Sequence, residues 1–472
     1  MQRTLGELLA DEAVAGEIWR VDLADHALAI TSVTHDSRAV VPGSLFCCIP
    51  GATADGHDYA AAAVDAGAVA LLVTRPLPLA VPQLVSTNPR RAMSLLAAAF
   101  CGHPSRGLRL IGVTGTNGKT TTSALIAAIT SHAGIPTAVI GTLTGRHTTP
   151  ESTELQPLLA RHLAAGIECV VMEVSSHALA LHRVDGCRFE LAVFTNLGRD
   201  HLDLHGTMEA YFAAKASLFT TGLASRGLAN CDDPHGRLLA DGAPIMMHCF
   251  QSSDMASLSV SPTSHEYDWR GARVRVGIGG RYNAMNSLAA ATASAMLGVG
   301  IAQIADGLAV AAPVPGRFEP IDAGQPFSVI VDYAHTPDGL RALLEAARAS
   351  ASGQVHVVFG CGGDRDREKR PEMGEAASLL ADHVVVTSDN PRSEDPQSII
   401  DAIIAGVPDG YRRRVMTEPD RRRAIAAALS AARPGDVVVV AGKGHETTQT
   451  VGTVTADFDD RHVVRSLLEA QR

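Results

Sequence analysis

The chain has 472 residues, 46% of them hydrophobic and only 4% aromatic, with a formal net charge of −10. At about 150 residues per domain that length implies roughly three domains, and a core built from Ala, Val and Leu calls for the layered helices and strands of an α/β protein. The acidic balance gives no support to nucleic-acid binding, which requires a basic face, and no window nears the ~18 apolar residues of a membrane span.

Residues 1–10 lack a basic start followed by an apolar stretch, so a soluble, cytoplasmic protein is expected. Eight cysteines occur without a Cys-X-X-Cys pair, which favours buried free thiols over disulfides or a zinc site. The arginine clusters 412–414 and 421–423 read as solvated helix and loop surface.

In chain order, segment 1–105 shows strand patterns at 27–33, 44–49 and 69–73, and helices at 58–66 and 90–100, ending at the breaker Gly102-His103-Pro104-Ser105. Segment 106–313 opens with an apolar strand, 108–113, and a helix over 123–133. Between them lies Thr114-Gly115-Thr116-Asn117-Gly118-Lys119-Thr120-Thr121. Further strands at 137–140, 169–174 and 191–196 alternate with helices, the signature of a parallel sheet. From 243 to 280 the runs become short and rich in Ser and Gly, predicting a small antiparallel addition. Segment 314–472 alternates again, with strands at 328–332, 355–359, 383–387 and 437–441. A second doubly wound sheet is expected, with its site beyond the carboxyl ends of the strands.

The stretch from Gly115 to Thr121 reads as a phosphate cradle. Backbone N–H groups at a helix N-terminus face phosphate oxygens, Lys119 adds a point charge and Thr120 a hydroxyl for Mg²⁺. The strict P-loop pattern would put Gly where Val113 stands, so the match is by chemistry rather than by letter. Glu173 closes the strand 169–174, where a carboxylate can hold Mg²⁺ against the phosphates. His201 lies in the unusually polar loop after the next strand, and Lys215 sits in a largely apolar helix.

The ordered set GTNGKTTT, MEVSSHAL, TNLGRDHLDLHGTMEAYFAAKASLF, GRYNAMNSLAA, PGRFE, VDYAHTPDGL, FGCGGDRDREKRPEM and GKGHE, preceded by Asp36-Ser37-Arg38, resembles the Mur ligase superfamily. Within it the chain is most similar to the MurE-type UDP-N-acetylmuramoyl-tripeptide synthetases. The resemblance implies three domains: 1–105 for the UDP-substrate, a central ATPase domain with a P-loop-type, mostly parallel sheet over 106–313, and a Rossmann-like amino-acid-binding domain over 314–472. It also implies ATP-dependent ligation of meso-2,6-diaminopimelate to UDP-MurNAc-L-Ala-D-Glu through an acyl phosphate, by a monomer.

By the same resemblance, Thr120 and Glu173 hold one Mg²⁺, and His201 and an N6-carboxylated Lys215 help hold a second. Asn286, Arg317 and Asp332 join Gly115 to Thr121 around the nucleotide. Ser37, Thr148, Thr149, Ser175 and Arg183 contact the UDP-substrate, with Leu181 standing where many relatives have Gln. Arg365, Asp389, Asn390, Pro391, Arg392, Gly442 and Glu446 form the amino-acid pocket. There Arg392 would pair with the carboxylate that lysine lacks, and Glu446 would receive the distal ammonium. Folylpolyglutamate synthase shares this chemistry and a related phosphate loop, but the Asp-Ser-Arg motif and the Asp389-Asn390-Pro391-Arg392 turn weigh against it. A nonenzymatic nucleotide-binding relative is disfavoured by intact Lys119, Glu173, His201 and Lys215.

Overall fold

The computed structural model describes residues 2–22, 25–51 and 54–470. Three main sheets follow one another along the chain. The first has the spatial order Arg20–Asp22, Gln83–Val85, Ala68–Val73, Ser44–Cys47, Ser32–Thr34, parallel except for its first strand. Helix Pro89–Phe100 covers one face, its start fixed by Asn88, whose side chain accepts the Arg91 N–H.

The second sheet has six parallel strands in the order Met246–Phe250, Arg226–Asn230, Leu191–Phe194, Arg109–Thr114, Cys169–Glu173, Thr137–Ile140. Its central strands are buried on both faces, so they carry near-continuous apolar runs instead of an alternating pattern. The first strand, Arg109–Thr114, sits in the middle with neighbours that leave in opposite directions, and a crevice opens there at the carboxyl ends. Helices Lys119–His132 and Arg281–Met296 pack together on one face, where the alanines of the latter allow close approach.

Two local expectations are corrected. The helix after the cradle begins at Lys119 instead of residue 123, because the threonines 120 to 122 are its buried first turn. The expected antiparallel addition is smaller than 243–280: Met246–Phe250 is the sixth parallel strand, and only Ala256–Val260, His265–Trp269 and Ala272–Val276 form the antiparallel sheet.

The third sheet runs Glu319–Pro320, Ser328–Asp332, Val437–Ala441, Val355–Phe359, His383–Val386, Val415–Thr417, parallel but for the first strand. A separate two-stranded hairpin, Thr448–Val451 with Val454–Asp457, projects beyond it. Neither Val415–Thr417 nor this hairpin stands out in the sequence, since both are short and exposed.

Two readings of side chains also change. Cys231 and Cys249 form a disulfide between the ends of neighbouring strands, whereas the other six cysteines are free and buried as expected. Parallel pairing sets their Cα atoms 5.6 Å apart, a proximity that a separation of 18 residues conceals. Arg421 is not surface: it is fully buried, paired through two hydrogen bonds with Asp460 at 2.7 Å, and donates to the carbonyls of Ser388 and Ala441. The buried charge persists because a carboxylate and two carbonyls accept from all three of its nitrogens.

Candidate active site

The cradle is the turn that joins strand Arg109–Thr114 to helix Lys119–His132. Gly118 has φ +86, and a Cβ there would come within 2.3 Å of Asn286 Oδ1, so only glycine lets the loop close against helix Arg281–Met296. Lys119 Nζ donates to the carbonyls of Gly115 and Thr116, both at 2.9 Å, and its burial pushes its pKa below the ordinary value. Thr120 Oγ1 donates to Glu173 Oε2 at 2.9 Å, and Glu173 also accepts from the Thr142 N–H and hydroxyl. A buried hydroxyl and carboxylate at one point offer an all-oxygen donor set, which suits a hard cation such as Mg²⁺.

Across this cradle lies the start of the third segment. Arg317 donates from Nη2 to Thr120 Oγ1 at 3.1 Å and lies over the Tyr333 ring at 4.6 Å. Asp332 accepts from the N–H groups of Phe318 and Ala334 and from the Tyr282 hydroxyl, while burial raises its pKa. Asn117, Gly118, Thr121, Asn286, Arg317 and Asp332 together line a cavity of about 310 Å³ between the two segments. Phe250, Tyr282, Met285 and Tyr333 complete its walls, apolar and aromatic surface of the kind that accepts a planar base.

His201 and Lys215 meet at Tyr211. The Lys215 side chain is fully buried, with its Nζ 4.3 Å from the centre of that ring and donating to the Gly115 carbonyl at 2.9 Å. Burial, reinforced by Lys119, drives its pKa well below the ordinary lysine value. His201 packs edge-on to His177 at 4.6 Å and to Tyr211 at 6.1 Å. Desolvation pushes His201 down to about 3, although the side chain keeps 38% exposure at one edge. A neutral imidazole at neutral pH is the form that ligates metal. Among the described residues no group of three or more His, Cys, Asp or Glu gathers as a ready metal site.

Asp200, beside His201, is a functional candidate that motif reading passed over. Burial raises its pKa, but His335, His201 and Lys369 outweigh that and hold it well below the usual carboxylate range. Its contact with His335 at 3.7 Å crosses from the second segment to the third. Arg199 crosses too, reaching Glu368 at 2.6 Å and Glu372 at 2.7 Å. These partners are distant in sequence, so only an unpaired polar run around 198–201 hints at them.

Thr149, Ser175 and Arg183 converge beside Glu173. Thr149 Oγ1 donates to the Glu173 carbonyl at 2.8 Å and accepts from the Ser175 N–H at 3.0 Å, and Arg183 donates to the Thr149 carbonyl at 2.9 Å. Thr148 is tied to Thr142 at 3.0 Å. Leu181 caps the short helix Ser176–Ala180 and brings no polar group. Ser37 lies in a turn of the first segment, and among the described residues it makes no hydrogen bond to the other candidates.

In the third segment Asp389, Asn390, Pro391 and Arg392 follow strand His383–Val386 and are largely buried. Asn390 Nδ2 donates to Glu446 Oε2 at 2.8 Å, and Arg392 Nη1 donates to the Gly363 carbonyl at 2.6 Å. Gly442 has φ +109, with the space where a Cβ would stand 2.7 Å from Asp389 Oδ2. Arg365 adds positive charge at His177 across the gap. The buried Arg421 sits beneath, holding the Ser388 and Ala441 carbonyls at the roots of both loops.

Three family descriptions match: Mur ligase family, catalytic domain, over residues 29–100; Mur ligase middle domain over 113–294; and Mur ligase, glutamate ligase domain, over 316–444. The chain belongs to the Mur ligase family. It is 46% identical to the UDP-N-acetylmuramoyl-L-alanyl-D-glutamate–2,6-diaminopimelate ligase of Geobacillus thermodenitrificans, with 94% of this chain and 96% of that one covered. A solved ligase of the same description superposes with a TM-score of 0.68 at 34% identity, covering 100% of this chain and 99% of that one. Mycobacterium tuberculosis folylpolyglutamate synthase complexed with ADP and AMPPCP covers 73% of this chain and 91% of its own at 18% identity and a TM-score of 0.60, a likeness of fold alone. The chain is therefore an ATP-dependent ligase, and the oxygen-lined cradle fits the ATP and Mg²⁺ that such ligases use.

Proposed function

We propose that this ligase joins an amine of meso-2,6-diaminopimelate to the D-glutamyl side-chain carboxyl of UDP-MurNAc-L-Ala-D-Glu, the step that the name of the Geobacillus relative describes. The carrying observation is the approach of a phosphate cradle and a paired basic and acidic loop from two different sheets, bridged by Arg317 to Thr120. A carboxylate oxygen attacks the γ-phosphorus, ADP leaves, and the resulting acyl phosphate is attacked by the amine, which loses a proton as phosphate departs. Two anions must meet in the first step, so cations have to offset their repulsion. Lys119 and Arg317 supply fixed positive charge there, and Mg²⁺, held by Thr120 and Glu173, supplies electrostatic neutralisation of the phosphates when bound.

Lys215 completes the reading as an N6-carboxylysine. Its buried amine is driven toward the neutral, nucleophilic form; the nitrogen adds to the carbon of carbon dioxide and releases one proton, giving a carbamate whose anionic oxygens suit Mg²⁺. Domain borders near 105/106 and 313/314, a monomeric state and a cytoplasmic location belong to the same proposal. Among the described residues no helix is long and apolar enough to cross a membrane.

The test is ligation of UDP-MurNAc-L-Ala-D-Glu with meso-diaminopimelate, LL-diaminopimelate, lysine and ornithine, in wild type and Arg392→Ala. Loss of a buried charge-assisted pair costs about 2 to 5 kcal/mol, so the variant should lose roughly 30-fold to several thousand-fold with diaminopimelate and far less with lysine. An unchanged ratio between the two amino acids would remove Arg392 from recognition of the distal carboxylate.

A further inference from the structure

Arg392 occupies the left-handed region at φ +53, a conformation that costs a side-chain-bearing residue roughly 1 to 2 kcal/mol and persists only where neighbours impose it. The neighbours here are the projecting hairpin. Arg392 N–H donates to the Thr450 carbonyl at 3.0 Å, and the Gly452 N–H donates back to the Arg392 carbonyl at 2.6 Å. Thr450 N–H also donates to Asn390 Oδ1 at 2.9 Å, and Gln449 Nε2 to the Asp389 carbonyl at 2.7 Å. The loop is thus zipped along the hairpin's first strand. Yet the hairpin is exposed, with Val454 at 66%, and a two-stranded hairpin on its own is marginally stable in water.

What secures it is Lys443. This side chain is completely buried, and its ammonium donates to the Thr448 carbonyl at 2.7 Å, where the hairpin begins, and to Glu446 Oε2 at 3.0 Å. The Asn390 amide donates to that same Oε2 oxygen. Both donors therefore fall on one carboxylate oxygen, and among the described residues Oε1 has no donor, which leaves it for a ligand's ammonium. One cation consequently sets the rotamer of the acidic arm and, through the hairpin, the backbone of the basic arm.

We propose that Lys443 is a positioning residue for amino-acid selection, fixing the separation between Glu446 and Arg392 by anchoring the hairpin 448–457. The inference rests on the reading that this loop takes a diamino dicarboxylic acid. A ligand with two charged groups at its distal end benefits from a fixed spacing between the two arms. One with a single distal ammonium needs only Glu446.

The experiment is steady-state ligation by full-length Lys443→Met and, because a buried lysine can matter for folding, by Gln449→Ala, which removes one hairpin-to-loop bond from a less buried site. Wild type is first assayed with the amino-acid panel to identify its preferred acid. In both variants the KM for that acid should rise, by on the order of tenfold in Lys443→Met and a few-fold in Gln449→Ala. The KM values for ATP and UDP-substrate should stay within about threefold, and preference for diaminopimelate over lysine should narrow in step. Should wild type prefer some other acid, the functional reading fails while the positioning test proceeds with that acid. An unchanged KM for the preferred acid in both variants, or parallel increases in all three KM values, overturns the positioning role.

Discussion

Arg317 bridges the third segment to the phosphate cradle, and its replacement by alanine gives a defined expectation. Its guanidinium makes a charge-assisted bond to Thr120 Oγ1 at 3.1 Å, across the interface, and lies 4.6 Å from the Tyr333 ring on its own side. The buried Nε finds no partner among the described residues, leaving a donor free to meet a phosphate oxygen. A hydrogen bond involving a charged group contributes about 1.5 to 3 kcal/mol, and a cation–π contact made by a cation that is still partly exposed about 0.5 to 1 kcal/mol. Together they give about 2 to 4 kcal/mol, or roughly 30- to 1000-fold in kcat/KM for ATP. Arg317→Lys should recover only a small part, because an ammonium keeps the charge but not the planar fork that reaches Thr120 while covering Tyr333. Phosphate release with saturating UDP-substrate reports turnover, and displacement of a fluorescent nucleotide reports affinity. If both quantities in folded Arg317→Ala stay within about threefold of wild type, the bridge is not part of the ATP site.

Lys215→Ala should lose most activity and partly regain it with added short carboxylates, and mass spectrometry of the native protein should find an extra carboxyl group on Lys215; an unmodified amine in an active, Mg²⁺-loaded crystal refutes the modification. Arg199 pairs with Glu368 and Glu372 at a part-exposed interface, where such pairs contribute about 0 to 1 kcal/mol each. Arg199→Ala should therefore expand the ligand-free protein in solution scattering; a profile identical to wild type would show that these pairs do not hold the two segments together. The disulfide predicts that denatured, unreduced protein titrates six thiols and reduced protein eight, so eight in both samples would mean Cys231 and Cys249 are not joined. His265 is buried, in contact with the Ile278 carbonyl and Ser287, and burial lowers its pKa to about 4. Because the unfolded chain takes up this proton first, up to about 3 kcal/mol of stability should drain away as pH falls from about 6.5 to 4. Thermal midpoints against pH should show a shallower slope for His265→Gln, and equal slopes would rule this histidine out as the source.

Local sequence determined the cradle's turn and the alternation of strands and helices, because these features depend on neighbours a few residues away. Gly118 and Lys119 belong to a turn whose residue types are legible within ten residues, and the strand 169–173 delivers Glu173 by its own length. What the chain's order could not convey is partnership across sheets. Arg421 reads as one of three consecutive surface arginines until Asp460 and two strand ends close over it. Cys231 and Cys249 read as free thiols until parallel pairing brings their strands together. Lys443 shows only as a basic residue between two glycines, with nothing to announce that its ammonium joins Glu446 to a hairpin. The reason is common to all of them. Propensity and periodicity act over one or two turns of chain, whereas a buried charge is tolerated only after distant segments have supplied its acceptors, and that depends on the packing of the assembled sheets.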